Sequence, residues 1–305
     1  MHQYVNIMTI YFYFSITNYN TIKHFELFFK LFRIINRMLM TLFFVLNLLA
    51  FENSFAEKID ISVCANDVRK SINPNKKYET PSEDIIKIAF ERLKNKLEVN
   101  YSIDFKPMDR CIADAERGHI DAVLDISYTA ERAEAVEYPP HSGPEEKEGP
   151  CSSTLKMTCS RYVVITTKKS NFDYKGDQNN LPIPVRIARG YSLAKKIEAI
   201  YKENAELSKN DLINIKKLLR DKTGCVVANF GYIPGLAENQ FRENIMNLKI
   251  HKIPYEARSN YFTFSKKAKY TKEQKMLIWQ ELSKIMLDQK IVTQLRKKFS
   301  KINYK

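Results

Sequence analysis

Apolar and polar positions alternate imperfectly from Ile59 to Ala65 (IDISVCA), the pattern of a buried first strand. Thr80-Pro81-Ser82-Glu83 follows as a capping box with Pro at the first helical position. Ile85, Ile86, Ala89, Phe90, Leu93 and Leu97 then recur at helical spacing. Val99 to Phe105 predicts the next strand. Pro107 opens a second helix that Gly118 closes, and Ile120 to Leu124 predicts a third strand. The order βαβαβ implies a parallel sheet with right-handed crossovers, whose site lies in the loops at the strands' carboxyl ends.

The run HSGPEEKEGP, His141 to Pro150, is charged and rich in Pro and Gly, a hinge or loop by composition. A second, similar unit begins with the strand Arg161 to Thr167 and continues through polar Ser170 to Asn180. Strand Pro184 to Ala188 then turns at Gly190-Tyr191-Ser192 into a helix from Leu193 to Lys202. Helix Lys209 to Arg220, strand Cys225 to Ala228 and a helical Gly231 to Asn239 come next. Asn260 to Ser265 predicts a strand, and Thr271 to Phe299 two helices returning to the first unit. The chain is therefore α/β, with each unit a mostly parallel sheet flanked by helices. Two such units joined by crossing segments create a cleft.

Leu39 to Phe51 is an apolar run preceded by Lys30, Arg33 and Arg37 and followed by Ser54-Phe55-Ala56, the layout of a cleaved secretory signal. It is short for a bilayer-spanning anchor. Met1 to Asn36 carries no capped, periodic element and reads as an overlong start, with initiation expected near Met38. Residues 1–56 are thus set apart from the folded part.

The 305 residues, 44% apolar, suffice for two compact lobes. A net charge of +14 attracts anions of every kind, yet the lysines are scattered as solvated helix faces with no basic stripe interleaved with aromatics, so no nucleic-acid partner is expected. An exported chain meets oxidising conditions. Cys151 and Cys159 bracket a segment able to turn back on itself, and Cys64 can meet Cys111 if the second helix packs on the first strand. Cys225 is left over as a buried thiol. No C-x-x-C occurs, and His119, His141 and His251 lie far apart, so neither a metal site nor a cofactor is indicated.

The most informative stretch is Met108 to Tyr138 (MDRCIADAERGHIDAVLDISYTAERAEAVEY). At the carboxyl end of its strand, Ser127, Thr129 and Arg132 can converge on one carboxylate, because an arginine fork binds it bidentately while loop N–H and O–H groups take the remaining lone pairs. The stretch resembles the bacterial periplasmic solute-binding proteins of the polar amino-acid type that serve ABC importers. Their first lobe carries a G-x-x-D-A strand and an S-x-T-x-x-R loop, matched here by Gly118, Asp121, Ala122, Ser127, Thr129 and Arg132. The resemblance runs from about Ile59 to the C-terminus.

That resemblance implies a two-lobed periplasmic-binding-protein type II fold with a discontinuous first lobe: residues 57–142 and 252–305 form lobe 1, and residues 143–251 form lobe 2. It implies a monomer that closes over a small polar, carboxylate-bearing solute and presents it to a cognate membrane permease. The Gly190-Tyr191-Ser192 turn would face Arg132 across the cleft, with Ser192 supplying a hydroxyl and Tyr191 a ring, although Ser192 also reads as an ordinary N-cap. Arg110 would reach the solute's far end or pair with Asp109 or Asp114. Asp67, beside Asn66, would contact the solute side chain, with Tyr78 as the available aromatic platform. Asn229 departs from the family, which presents an aspartate there to the solute's ammonium. Either another acid such as Asp67 or Asp125 substitutes, or the ligand is no standard zwitterion. An enzyme on this fold, dehydratase-like or lyase-like, needs a poised acid or base, and no triad is legible around His119 or His141. An interaction protein that has lost solute binding is the third alternative.

Overall fold

The computed structural model describes residues 32–41, 57–67, 80–232 and 246–302. Residues 32–41 form helix α1 within a unit of their own, separate from the unit spanning Ala56–Lys305. Most of the apolar stretch Leu39 to Phe51, the expected cleavage site Ser54-Phe55-Ala56, Tyr78 and the helix expected after Tyr232 lie outside the described residues. No helix among the described residues is long and apolar enough to cross a membrane.

The large unit is α/β. Its first elements are β1 (Glu57–Asn66), α2 (Pro81–Leu93), β2 (Leu97–Lys106), α3 (Met108–Arg117), β3 (Ala122–Ser127), α4 (Arg132–Ala135) and β4 (Val136–Glu137). After a 3-10 turn at Gly143–Glu145 come β5 (Thr158–Thr167), β6 (Val185–Ala188), α5 (Ala194–Tyr201), β7 (Ala205–Ser208), α6 (Asp211–Asp221) and β8 (Cys225–Asn229). β9 (Leu248–Ser265), α7 (Lys272–Leu287) and α8 (Gln289–Ile302) complete it. The strand order is β2-β1-β3-β9-β5-β8-β6-β7, with β4 beside β9. Two parallel triplets, β2-β1-β3 and β7-β6-β8, therefore flank the antiparallel pair β9 and β5. Each triplet keeps its earliest strand in the middle, so the second half repeats the topology of the first.

The capping box forms as its sequence demands: Glu83 N–H donates to Thr80 Oγ1 at 3.1 Å and Thr80 N–H to Glu83 Oε2 at 2.5 Å. Ile85, Ile86, Ala89, Phe90 and Leu93 then face the sheet in a cluster shared with Trp279 and Leu282 of α7 and Phe262 and Phe264 of β9. Each such buried side chain contributes about 1.5–3 kcal/mol. Leu97 does not continue this helix. It is buried at the first position of β2, because α2 ends at Leu93.

In the second half, β5 reads as a continuous apolar run because both its faces are covered. Val163 and Ile165 pack with Ile215 and Leu218 of α6, whereas Tyr162 and Val164 pack with Ile187, Leu193 and Ile197. The expected strand Asn260 to Ser265 is only the end of an 18-residue strand. Its first half escapes the alternation test because Pro254 interrupts it, and the register with β5 shifts on either side of Pro254.

Both expected disulfides are present, Cys64–Cys111 and Cys151–Cys159, and Cys225 is a buried free thiol. Burial pushes that thiol up to about 12, so it stays protonated.

Candidate functional site

Two sequence-distant loops meet where the halves of the sheet join. The first follows β3, whose register with β9 shifts between Val123 and Ile126, with Asp125 at a φ of 59°. β3 runs on to Ser127, so Ser127 stands at a strand end, and Arg132 opens the short helix α4 where a loop was expected. Thr129 fixes that helix start, since its hydroxyl accepts from Arg132 N–H at 3.2 Å and its carbonyl from Ala133 N–H at 3.0 Å.

The second loop is the Gly190 turn after β6. Gly190 has a φ of 83°, and a Cβ there would come within 3.0 Å of the Asp109 carboxylate on α3. The turn needs glycine for both reasons.

The guanidinium of Arg132 joins the loops. Nη1 donates to the Ser127 carbonyl at 2.9 Å and to its hydroxyl at 3.2 Å, and Nη2 donates to the Gly190 carbonyl at 2.7 Å. Ser127 Oγ donates to Ser192 Oγ at 2.8 Å, and Tyr138 O–H to the Ser127 carbonyl at 2.9 Å. Arg132 is 8% exposed. Burial pulls its pKa below the usual value while Tyr138 and Tyr162 push it back, and the side chain remains a cation held by neutral acceptors.

Behind the Gly190 turn, Tyr191 O–H donates to Asp211 Oδ2 at 2.6 Å and Asn229 N–H reaches the same oxygen at 3.2 Å. Asp211 thereby ties the turn to the end of β8. It is 2% exposed, its Oδ1 has no partner among the described residues, and burial raises its pKa to about 7. Asn229 is buried, its Nδ2 donating to Ser160 Oγ at 3.1 Å and its Oδ1 accepting from Gly231 N–H at 3.0 Å.

Three cavities are lined by neighbours of this junction, while Arg132, Ser127 and Gly190 line none of them. One, of about 350 Å³, is walled by Asn66, Ser82, Asp125, Ser160, Asn229 and Phe230 among others. A second, of about 440 Å³, includes Asp67, Met108, Asp109 and Tyr191. The third, of about 690 Å³, includes Thr129, Ser192, Lys196 and Arg258. The expected site residues are thus distributed: Arg132, Ser127, Ser192 and Gly190 touch one another, Thr129 and Ser192 face the third cavity, Tyr191 and Asp67 the second, and Asn229 the first. Arg110 is an exposed side chain paired with Asp114 at 3.3 Å, on none of these walls.

Sequence reasoning overlooked Ser82, Thr158, Ser160, Phe230 and Asn260, which belong to the first cavity or its hydrogen-bond network. It also overlooked Asp211. Only topology brings these together, although a buried-strand polar such as Asn260 is a visible oddity. Of the histidines, His119 and His141 are exposed, and His251 is buried between Thr166 Oγ1 and Tyr174 N–H. Among the described residues no group of three metal-ligating side chains occurs.

No family model and no curated protein sequence matches the chain. Solved structures do. The amino acid ABC transporter substrate-binding protein AbpA from Streptococcus pneumoniae, bound to L-arginine, superposes with a TM-score of 0.57 at 16% identity, over 79% of this chain and 94% of that one. An ancestral arginine-binding protein bound to glutamine gives 0.55 at 16% identity, over 78% and 96%. A histidine kinase sensor domain with similarity to periplasmic binding proteins gives 0.57 at 14% identity, over 79% and 96%. The described residues of the large unit share the two-lobed periplasmic-binding-protein-like fold of these structures.

Proposed function

We propose that the chain is an exported, non-catalytic receptor that captures a small polar solute bearing a carboxylate and hands it to the membrane permease of an ABC importer. In this reading residues 57–142 with 252–305 form one lobe, residues 143–251 form the other, and the protein acts as a periplasmic monomer. One observation carries the reading: Arg132 and Ser127 of the first half meet Gly190 and Ser192 of the second through direct hydrogen bonds in a buried junction. The likeness in fold to proteins bound to arginine or glutamine supports it.

The chemistry follows from the acceptors around the fork. A neutral carbonyl and a hydroxyl are weaker partners for a buried guanidinium than a carboxylate, which makes charge-assisted, bidentate bonds. A solute carboxylate would replace the Gly190 carbonyl at Nη2 and the Ser127 hydroxyl at Nη1, and the freed hydroxyls of Ser127 and Ser192 would turn toward it. The Ser127 carbonyl and Tyr138 hold the fork's orientation throughout.

A thermal-shift screen against amino acids, polyamines, dicarboxylates and small peptides tests the reading. A solute at 100 times its Kd stabilises by about 2.7 kcal/mol. The receptor reading predicts such a response for at least one carboxylate-bearing class, and no response to any class would overturn it.

A further inference from the structure

Asp114, Asp211 and Glu281 are the buried acids among the described residues. Asp114 pairs with Lys106, Arg110 and Arg117, and Glu281 with Arg92 and Lys284, whereas no ion pair to Asp211 occurs among the described residues. Asp211 lies behind the Gly190 turn. Its Oδ2 accepts both Tyr191 O–H and Asn229 N–H, which fills the lone pairs of that oxygen and leaves Oδ1 to carry a proton. Among the described residues Oδ1 has no partner, and neither amide atom of Asn214 has one, although Asn214 is fully buried one turn along the same helix. An unpaired carboxylate oxygen is costly there, and an O–H in its place is a donor on the helix face that carries the Asn214 amide oxygen.

The groups facing Asp211 set the direction of its titration. Tyr162 of β5 feels both Asp211 and Arg132: burial first, and Asp211 as a smaller influence, hold its phenol above the usual value, while Ser192 and Arg132 pull it down. Its ring is 5.3 Å from that of Tyr191. Arg189 and Lys209 are exposed, as is Asp109 of α3, while Arg186 of β6, Glu206 of β7, Asp221 and the neutral Cys225 of β8 lie together at the far end of α6. The positive end of α6 favours the anion and burial favours the acid, so the proton stays exchangeable. Burial is the larger influence, and it raises the Asp211 pKa to about 7.

We propose that Asp211 is a positioning residue that couples solute capture to a proton: when a solute carboxylate enters at Arg132, Asp211 Oδ1 takes up one proton from solvent, so the protein holds its solute more tightly in mildly acidic than in alkaline medium. This rests on the receptor reading, in which Arg132 holds the solute's carboxylate. In the empty protein at alkaline pH, ionised Asp211 is the buried anion behind the Arg132 cation. A solute carboxylate at the fork makes two anions for that one cation, and protonation of Asp211 restores the balance. The Tyr191 and Asn229 bonds to Oδ2 persist in both protonation states, so the turn keeps its place while the charge behind it changes.

Calorimetric titration of the full protein with L-glutamine, L-arginine and succinate tests the coupling. Affinities are read from pH 6 to pH 8.5, and proton uptake at pH 7.5 from the heats in phosphate and in Tris, buffers of unlike ionisation heat. The wild type is expected to lose about 10-fold in affinity across that range, the effect of one buried like charge near the site, and to take up a proton on binding. Asp211→Asn keeps an acceptor for Tyr191 and Asn229 but cannot ionise, so its affinity should be flat with pH and its proton uptake absent. Should that variant fail to fold, Tyr191→Phe is read instead: it removes a donor to Oδ2, and the midpoint of the pH profile should move upward. A wild type that binds with no proton uptake, an Asp211→Asn variant with the wild-type slope, or an unmoved midpoint in Tyr191→Phe would overturn the coupling and leave the receptor reading standing. Silence of the wild type toward all three probes would remove both.

Discussion

Asp211 shows how one buried side chain links position to pH. Its pKa of about 7 in the folded protein against an ordinary 3.8 means that the folded state holds this proton more tightly than the unfolded chain. The stability it contributes is therefore complete below about pH 4 and is lost as the pH rises to about 7. Asp211→Asn keeps an acceptor for Tyr191 and Asn229 and removes the ionisation. Urea midpoints at pH 5 and pH 8 should differ less in this variant than in the wild type, and parallel behaviour of the two proteins would dismiss the titration. A sequence offers no hint of this residue's role, since an Asp beginning a helix after an Asn cap is ordinary. Arg132 was legible because a hydroxyl, hydroxyl, arginine spacing after an apolar strand has a chemical meaning. That its fork is closed on the carbonyl of Gly190, 58 residues away in the chain, was not, because only the folded topology brings the two together.

At the scale of elements, the chain's own punctuation fixed most boundaries: Thr80 and Thr271 cap α2 and α7 with reciprocal side-chain bonds, and Gly118 ends α3 at a φ of 76°. Local pattern failed at β7, four residues of which three are half-buried, and along the first half of β9, where Pro254 breaks the alternation and pairing with β5 restores the strand. Gly224, at a φ of 77° between α6 and β8, has a Cβ position 2.2 Å from the Pro184 carbonyl. Gly224→Ala should therefore lower stability by more than 1 kcal/mol, measured by chemical denaturation, because backbone must shift to admit the methyl group. The Cys64–Cys111 bridge, 47 residues apart, ties α3 to β1. Converting both residues to Ala should cost about 4 kcal/mol on the chain-entropy account, whereas the loop of Cys151–Cys159, a separation of 8, should cost about 2.5 kcal/mol. Equal losses from the two double variants would argue against that account.

Over the whole of residues 57–302, the repeat of one strand topology in two halves makes a junction between them, and β9 and β5 carry the chain across it. The α/β class and the disulfide pairs follow from pattern and spacing. Polar cavities at a junction require the fold, since Asp125, Ser160 and Asn229 become neighbours only when β3, β5 and β8 are set side by side. Arg132 ties the two loops together at that junction, and an arginine kept buried with only neutral acceptors is a costly choice for a protein with nothing anionic to bind. The most direct test is calorimetric titration of wild type and Arg132→Ala with the solute that gives the largest thermal shift. The receptor account predicts single-site binding by the wild type and a loss of about 2–5 kcal/mol, at least 30-fold in affinity, in the variant; equal affinity in the two proteins would contradict it.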